Sequence, residues 1–234
     1  MATLYVVATP IGNLEDVTLR ALRVLRQVEL IAAEDTRRTK HLLSKYEIKT
    51  PVTSYHEHNK RTKLPRLLRH LEQRDLALVS EAGMPGISDP GYELVAAAIE
   101  RGIKVIPIPG PSAITAALSV SGLPTRQFIY LGFLPRKKGE RRRLLQQLED
   151  MPRTLVAFES PHRLRATLED LRDVLGERRL AIGRELTKLH EEVFYGTPSE
   201  ALQYFPQPRG EFTLVIEGKS GKLEKTEDVW KPTG

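Results

Sequence analysis

The stretch LALVSEAGMPGISDPGYELVAAAIERG, residues 76–102, contains one complete strand, loop and helix pattern. Its apolar start at 76–80 predicts a short buried strand. The Gly- and Pro-rich segment 80–91 predicts a loop, and YELVAAAIERG predicts a helix with Asp89-Pro90 at its start and Gly102 after its end. A strand that leads directly into a helix is the repeating unit of a parallel α/β sheet.

The same alternation recurs along the rest of the chain. Predicted strands lie at 4–8, 29–33, 52–55, 76–80 and 104–108, and a second set lies at 127–134, 154–158, 180–183, 193–195 and 212–217. We therefore predict an α/β protein of two α/β/α lobes with mainly parallel or mixed sheets and a ligand cleft between the lobes. The predicted boundaries are 1–120 for the first lobe, 121–126 for a linker, 127–218 for the second lobe and 219–234 for a disordered polar tail.

Composition narrows the class of protein. The 234 residues include no Cys, 40% hydrophobic residues and a formal net charge of +6. The absence of Cys excludes disulfides, a thiolate nucleophile and zinc sites with Cys ligands. No apolar run approaches the ~18 residues of a membrane span, and the first residues do not resemble a signal peptide. We expect a soluble protein of the cytoplasm.

Positive charge is concentrated in three runs, which are RRTK at 37–40, the segment 59–74, and PRKKGERRR at 135–143. A single run of this kind is more often a solvated helix face than a binding site. Three runs together favour a polyanionic partner that is bound through phosphate contacts.

Glycine and proline cluster immediately after predicted strands, in ATPIGN (8–13), in segment 80–91 and in PIPGPSA (107–113). The carboxyl ends of parallel strands are where open α/β sheets bind ligands, so we expect a ligand site there. No GxGxxG occurs, which disfavours a nicotinamide dehydrogenase, and GKS at 218–220 lacks the remainder of a P-loop.

Polar residues near the same strand ends are candidates for chemistry. The segments EDTR (34–37) and RELTK (184–188) follow predicted strands, although each is equally well read as a helix cap or an ion pair. His56 and His58 alternate beside a strand, but two histidines without a third ligand are weak evidence for metal, and no metal is predicted. His56 and Asn59 are better read as polar contacts to a substrate. Ser112 lacks a nucleophile elbow and is read as a helix-start or cofactor contact.

Several longer motifs resemble one family. LYVVATPIGNLEDVTLRALRVL, LIAAEDTRRT, SYHEHN, LVSEAGMPGISDPGYELV, IPIPGPSAITAAL, GFLPRKKGERR, AFESPHRL and IGRELTK occur in the order and at the spacing of the tetrapyrrole methylase superfamily. The sequence is most similar to the branch that methylates a cytidine 2′-hydroxyl in small-subunit ribosomal RNA. The resemblance covers residues 3–218.

This resemblance implies S-adenosylmethionine in the cleft between two α/β/α lobes, a homodimer, and 16S ribosomal RNA or the small ribosomal subunit as partner. Carried over by position, the implied cofactor contacts are Pro10, Glu81, Ala82, Gly83, Gly86, Ile87, Ser112, Ala113, Phe158, Leu186 and Thr213.

Transfer of a methyl group to a ribose hydroxyl also needs a proton acceptor, for which the candidates are Glu34, Asp35 and Glu185. The candidate substrate contacts are Arg37, His56, Asn59, Arg136, Lys137, Lys138, Arg184 and Lys188.

The chain departs from the family pattern in two places. Ser-Glu-Ala-Gly-Met-Pro at 80–85 stands where relatives commonly have Ser-Asp-Ala-Gly-Thr-Pro, and only a polar tail follows the last strand where relatives often carry a helical extension. Two alternative functions remain open at this point. One is methylation of a tetrapyrrole or other small molecule, and the other is RNA binding without catalysis.

Overall fold

A computed structural model describes residues 2–219. The chain divides into two compact units, with the division after Ala113. Of the predicted polar tail, all but Lys219 lies outside the described residues.

The first unit is built on a fully parallel sheet. Its strands are β1 (Thr3–Val7), β2 (Leu30–Ala33), β3 (Val52–Ser54), β4 (Leu76–Val79) and β5 (Lys104–Ile108). Their spatial order is β3-β2-β4-β1-β5, and every neighbouring pair is parallel. The helices of this unit are α1 (Leu19–Gln27), α2 (Thr36–Lys45), α3 (Lys60–His70) and α4 (Tyr92–Glu100).

Helices cover both faces of this sheet, as a parallel sheet requires. On one face, α1 and α2 pack against inward residues of the strands, with Leu25 and Leu42 among the buried contacts. On the other face, α3 and α4 contribute Leu67 and Leu94 to a second core. The sheet edge at the carboxyl ends of the strands is left for loops.

The second unit contains a mixed sheet. Its strands are β6 (Phe128–Phe133), β7 (Thr154–Glu159), β8 (Leu180–Arg184), β9 (Glu192–Gly196) and β10 (Phe212–Ile216). In the order β6-β7-β10-β8-β9, only β6 and β7 are parallel. Because no helix crosses between β8 and β9, these consecutive strands pair antiparallel.

The helices of the second unit likewise cover both faces of its sheet. They are α5 (Ala113–Val120), α6 (Lys138–Gln147), α7 (Pro161–Leu175) and α8 (Pro198–Tyr204). Helix α5 packs Ile114, Ala117 and Leu118 with buried residues of β7, β8 and β10. Helices α6, α7 and α8 cover the opposite face, where Leu164 and Leu168 are fully buried.

All ten predicted strands are confirmed, with ends that differ by at most one residue. Local sequence signals mark both ends of α7, since Ser160 is its N-cap residue, Pro161 is its first residue and Gly176 follows its end with φ of 76°. The predicted start of α4 is wrong. That helix begins at Tyr92, and the loop continues through Asp89-Pro90. Within residues 2–219, no helix has the length and apolarity needed to cross a bilayer.

Candidate functional site

Three loops meet at the carboxyl edge of the first sheet. The loop after β1 pairs with the loop after β4, since Thr9 N–H donates to the Gly83 carbonyl at 2.9 Å and Gly83 N–H donates to the Thr9 carbonyl at 3.0 Å. Ala8 N–H donates to the Ile108 carbonyl at 3.1 Å, which joins the loop after β1 to the end of β5. The predicted cofactor residues of this unit therefore lie on segments that are held together.

Two glycines shape the loop after β4. Gly83 and Gly86 have φ of 80° and 82°, a region that side chains disfavour. An added Cβ at Gly83 would also approach the Pro111 carbonyl to 3.7 Å, which places this loop beside the one that carries Ser112 and Ala113. Ile87 is 45% exposed, so an apolar side chain on the same loop is open to a ligand.

Glu34 follows β2 and is partly buried beside the loop after β4. Glu81 N–H donates to Glu34 Oε2 at 3.1 Å, and the Glu81 carboxylate pairs with Arg38 at 2.8 Å. Burial raises the pKa of Glu34, with a smaller contribution from the nearby Glu81 charge, and the Glu81 N–H and His56 act in the opposite direction. Glu34 is therefore a carboxylate with a raised affinity for a proton.

Asp35 has a clear structural role. Its carboxylate accepts N–H bonds from Arg37 at 2.7 Å and Arg38 at 3.3 Å, so it caps α2. These two bonds favour the ionised form and lower the pKa of Asp35. The helix-cap reading that the sequence left open therefore holds, and a catalytic role for Asp35 stays a prediction.

Asp89 lies at this edge and is not among the residues that the sequence predicts for the site, because its position before Pro90 predicts a helix cap instead. Burial, with a contribution from the charge of Glu34 and a smaller one from Glu81, raises the pKa of Asp89 to about 7, against a favourable hydrogen bond with Ser80. Titratable groups whose pKa is shifted by burial and by neighbouring charges are typical of functional sites. The sequence signal for it was its position in a Gly- and Pro-rich loop after a buried strand.

The predicted cofactor residues of the second unit also lie together. Phe158 on β7 and Thr213 on β10 are direct partners across the antiparallel pair, and Thr213 also faces Gly183 on β8. Leu186 packs over Gly183, where an added Cβ would approach its side chain to 3.0 Å. Phe158 and Leu186 are only partly buried, so this patch on the second sheet presents apolar surface.

The side chains of RELTK are tied to one another and to the segment before β10. Glu185 accepts from Lys188 Nζ at 2.9 Å and from Glu211 N–H at 2.8 Å. Burial acts to raise the pKa of Glu185, but these bonds outweigh it and leave the pKa lowered. Arg184 pairs with Glu192 at 2.6 Å. The roles of Glu185 as proton acceptor and of Arg184 and Lys188 as substrate contacts stay predictions.

The predicted basic contacts differ in how accessible they are. The Arg37 side chain is 92% exposed, and Arg136, Lys137 and Lys138 are exposed at the start of α6, with Lys137 paired to Glu140 at 3.2 Å. Arg141 of the same charge run is buried, 2.6 Å from Asp170. The run at 135–143 thus contains both surface cations and a structural ion pair.

His56 and Asn59 lie together in the segment between β3 and α3, where His56 N–H donates to Asn59 Oδ1 at 2.9 Å. The His58 ring centroid is 6.0 Å from that of His56. Among residues 2–219, no group of three or more potential metal-binding side chains is assembled.

A family profile described as Tetrapyrrole (Corrin/Porphyrin) Methylases matches residues 3–202. The chain belongs to this family, and the resemblance stated from the sequence is confirmed.

Two relatives narrow the identification within the family. A protein of Halalkalibacterium halodurans named Ribosomal RNA small subunit methyltransferase I is 55% identical over 97% of this chain and 80% of its own length. A protein of the same name from Thermotoga maritima is 52% identical over 94% of this chain and 100% of its own length.

A solved structure supports the fold. The crystal structure of uroporphyrin-III C-methyltransferase from Thermus thermophilus, complexed with S-adenyl homocysteine, has a TM-score of 0.65 to this chain. The two chains are 18% identical, and the superposition covers 92% of this chain and 97% of the solved one. The predicted fold class of two α/β lobes is confirmed.

Proposed function

We propose that this chain transfers a methyl group from S-adenosylmethionine to the 2′-hydroxyl of a cytidine in 16S ribosomal RNA of the small subunit. The observation that carries this proposal is the 55% identity, over nearly the whole chain, to a protein named for small-subunit ribosomal RNA methylation. A structure of the same fold holds S-adenyl homocysteine, the molecule that remains after S-adenosylmethionine has given up its methyl group.

The residues of the first unit fit such a cofactor. Gly83 and Gly86 give the loop after β4 its positive-φ turns, Gly86 is exposed, and Ile87 adds exposed apolar area on the same loop. Pro10, Ser112 and Ala113 lie on the two loops packed beside it. In the second unit, Phe158 and Leu186 provide apolar surface beside Thr213, and we assign this surface to the adenosine of the cofactor.

The cofactor, when bound, supplies an electrophilic methyl group that the ribose oxygen takes in a single displacement. The residues of the chain align the two reactants and accept the proton of the hydroxyl. Of the three predicted acceptors, Glu34 is favoured because its pKa is raised, whereas those of Asp35 and Glu185 are lowered. A carboxylate with a raised pKa takes up a proton more readily near neutral pH.

Replacing Glu34 with Gln tests this assignment. We expect the rate of methyl transfer to fall by roughly 10²–10⁴-fold while cofactor affinity is kept, since the amide keeps the shape but not the basicity. Glu57→Gln, at an exposed carboxylate of the same unit, is the matched control. A turnover of Glu34→Gln equal to that of the control would contradict the assignment.

The exposed cations Arg37, Arg136, Lys137 and Lys138 are proposed to contact RNA phosphates. Charge reversal at 136–138 should lower RNA affinity and flatten its dependence on salt, with cofactor affinity unchanged. If the dependence of RNA affinity on salt is unaltered, these side chains are solvated helix residues that do not contact RNA.

The decisive experiment for the function uses methyl-labelled S-adenosylmethionine and small ribosomal subunits that lack their native methylations. Label on a cytidine 2′-oxygen, mapped by nuclease digestion, would support the proposal. Cofactor binding without label in RNA would overturn it in favour of a tetrapyrrole or other small-molecule acceptor, or of a non-catalytic RNA-binding role. Naked 16S ribosomal RNA, tested in parallel, distinguishes free RNA from the assembled subunit.

With a ribosomal substrate, the proposed place of action is the cytoplasm, where small subunits are assembled. The homodimer is likewise a proposal, and sedimentation of the purified chain tests it.

A further inference from the structure

The segment from Ser54 to Asn59 contains an amide whose orientation is fixed by its neighbours. His56 N–H donates to Asn59 Oδ1 at 2.9 Å, and the other end of the amide, Nδ2, lies 3.0 Å from Ser54 Oγ. A backbone N–H can only donate, so the atom that faces it must be the amide oxygen. The amide nitrogen therefore points toward Ser54 and His56.

That orientation determines the protonation of the imidazole. Asn59 Nδ2 lies 3.1 Å from His56 Nε2, and an amide nitrogen only donates. His56 Nε2 must accept this bond, so it carries no proton. In the neutral imidazole the single ring proton then resides on Nδ1.

Asn59 makes this contact in place of a more usual one. It is the N-cap residue of α3, yet its side chain forms no cap bond with the helix. Asn is a preferred N-cap, and such a bond is typically worth about 1 kcal/mol to a helix. The side chain is instead committed to His56 and Ser54, which indicates a role in the position of the imidazole.

The protonated nitrogen has no partner in the chain. His56 Nδ1 is buried and makes no hydrogen bond within residues 2–219. A buried donor without an acceptor is costly, and native proteins rarely keep one without a reason. Glu34, the proposed proton acceptor, is close enough to His56 for their charges to interact. His56 follows β3, so it lies at the same sheet edge as the proposed proton acceptor.

We propose that Asn59 is a positioning residue that holds His56 in the Nδ1-protonated form, so that this N–H, which is buried in the chain alone, donates to an oxygen of the acceptor nucleotide when RNA binding opens the segment around His56. The inference rests on the proposed function for the identity of that oxygen. The two predicted substrate contacts then have different roles, since His56 contacts the nucleotide and Asn59 acts through His56.

The first test is spectroscopic and needs no activity. Nitrogen-15 spectra of the histidines, assigned with His56→Gln, should show a protonated Nδ1 and an unprotonated Nε2 for His56 in the neutral ring. In Asn59→Asp, examined at alkaline pH where imidazoles are neutral, the new carboxylate accepts from Nε2 and should move the proton there. A wild-type ring with its proton on Nε2 would overturn the proposal.

The second test measures binding of unmethylated 16S ribosomal RNA at the same pH. Asn59→Asp should weaken RNA binding by about tenfold or more, because a lone pair replaces the donor that faces the nucleotide oxygen. His58→Asp places the same added charge on an exposed neighbouring side chain. The RNA affinity lost in this variant measures the electrostatic effect alone. Cofactor affinity should be unchanged in both variants.

The third test asks for rescue. The amide of His56→Asn reaches the place of Nδ1 and should retain part of the RNA affinity, whereas the longer amide of His56→Gln reaches the place of Nε2 and should not. Equal losses in Asn59→Asp and His58→Asp, or equal losses in the two His56 variants, would overturn the inference even if the wild-type chain methylates RNA. A wild-type chain that binds and methylates no RNA would instead refute the proposed function.

Discussion

Replacing Asp89 with Asn should change how the stability of the protein depends on pH. Asp89 is partly buried near Glu34 and Glu81, and its pKa is raised from 3.8 to about 7, first by burial and then by the charge of Glu34. Because the folded-state pKa lies above the unfolded value, the folded protein binds this proton more tightly. The stabilisation is complete at low pH and is lost as the pH rises through 7.

The size of the effect follows from the shift. Each pKa unit corresponds to about 1.4 kcal/mol, so between pH 5 and pH 8 the wild-type chain should lose at most about 3 kcal/mol of unfolding free energy through this group. Asn has nearly the same shape and can still accept the hydrogen bond of Ser80, but it does not titrate. Asp89→Asn should therefore gain stability relative to wild type as the pH is raised.

Urea unfolding followed by circular dichroism at pH 5, 6, 7 and 8 measures this difference. Glu72→Gln, which removes an exposed carboxylate from the same unit, should follow the wild-type pH dependence. A stability difference between wild type and Asp89→Asn that is the same at pH 5 and pH 8 would refute the assignment of a neutral, protonated Asp89 to this loop.

Three further substitutions test individual contacts by unfolding free energy. Gly210→Ala should destabilise by about 1–2 kcal/mol or more, because φ is 89° and an added Cβ would lie 2.6 Å from Glu185 Cγ; an unchanged stability would disprove that crowding. Arg141→Ala should cost about 1.5–3 kcal/mol, because Asp170 loses its buried partner and keeps only the more exposed Arg142, and a loss below about 1 kcal/mol would argue against a buried pair. Asp35→Ala should cost about 1 kcal/mol through the lost cap of α2, whereas Asp35→Ser should restore most of it; no recovery would exclude the capping explanation.

Several features of the fold were readable from local sequence. The ten strands are short apolar runs bounded by turn residues, and these signals lie in the strand and its immediate neighbours. The limits of α7 were equally local, since Ser160-Pro161 and Gly176 act within one turn of the helix ends. The family motifs are ordered strings of residues and therefore also belong to the sequence itself.

The order and direction of the strands in the second sheet could not be predicted from local sequence. Strand β10, the last in the chain, lies between β7 and β8 and runs antiparallel to both. The nearly continuous apolar run of Phe212–Ile216 indicates burial on both faces, but it does not identify the neighbouring strands, because those partners lie far away in the chain.

Some features of the candidate site follow from the sequence, and others depend on the tertiary structure. Sequence alone determined the family, the loops that follow the strands and the set of polar residues in them. Only the tertiary structure decided that Asp35 caps a helix, that Arg141 is paired with Asp170 across 29 positions of the chain, and that Asp89 has a raised pKa. The reason is physical: the protonation and pairing of a charged group depend on burial and on charges a few ångströms away, which residues distant in the chain supply.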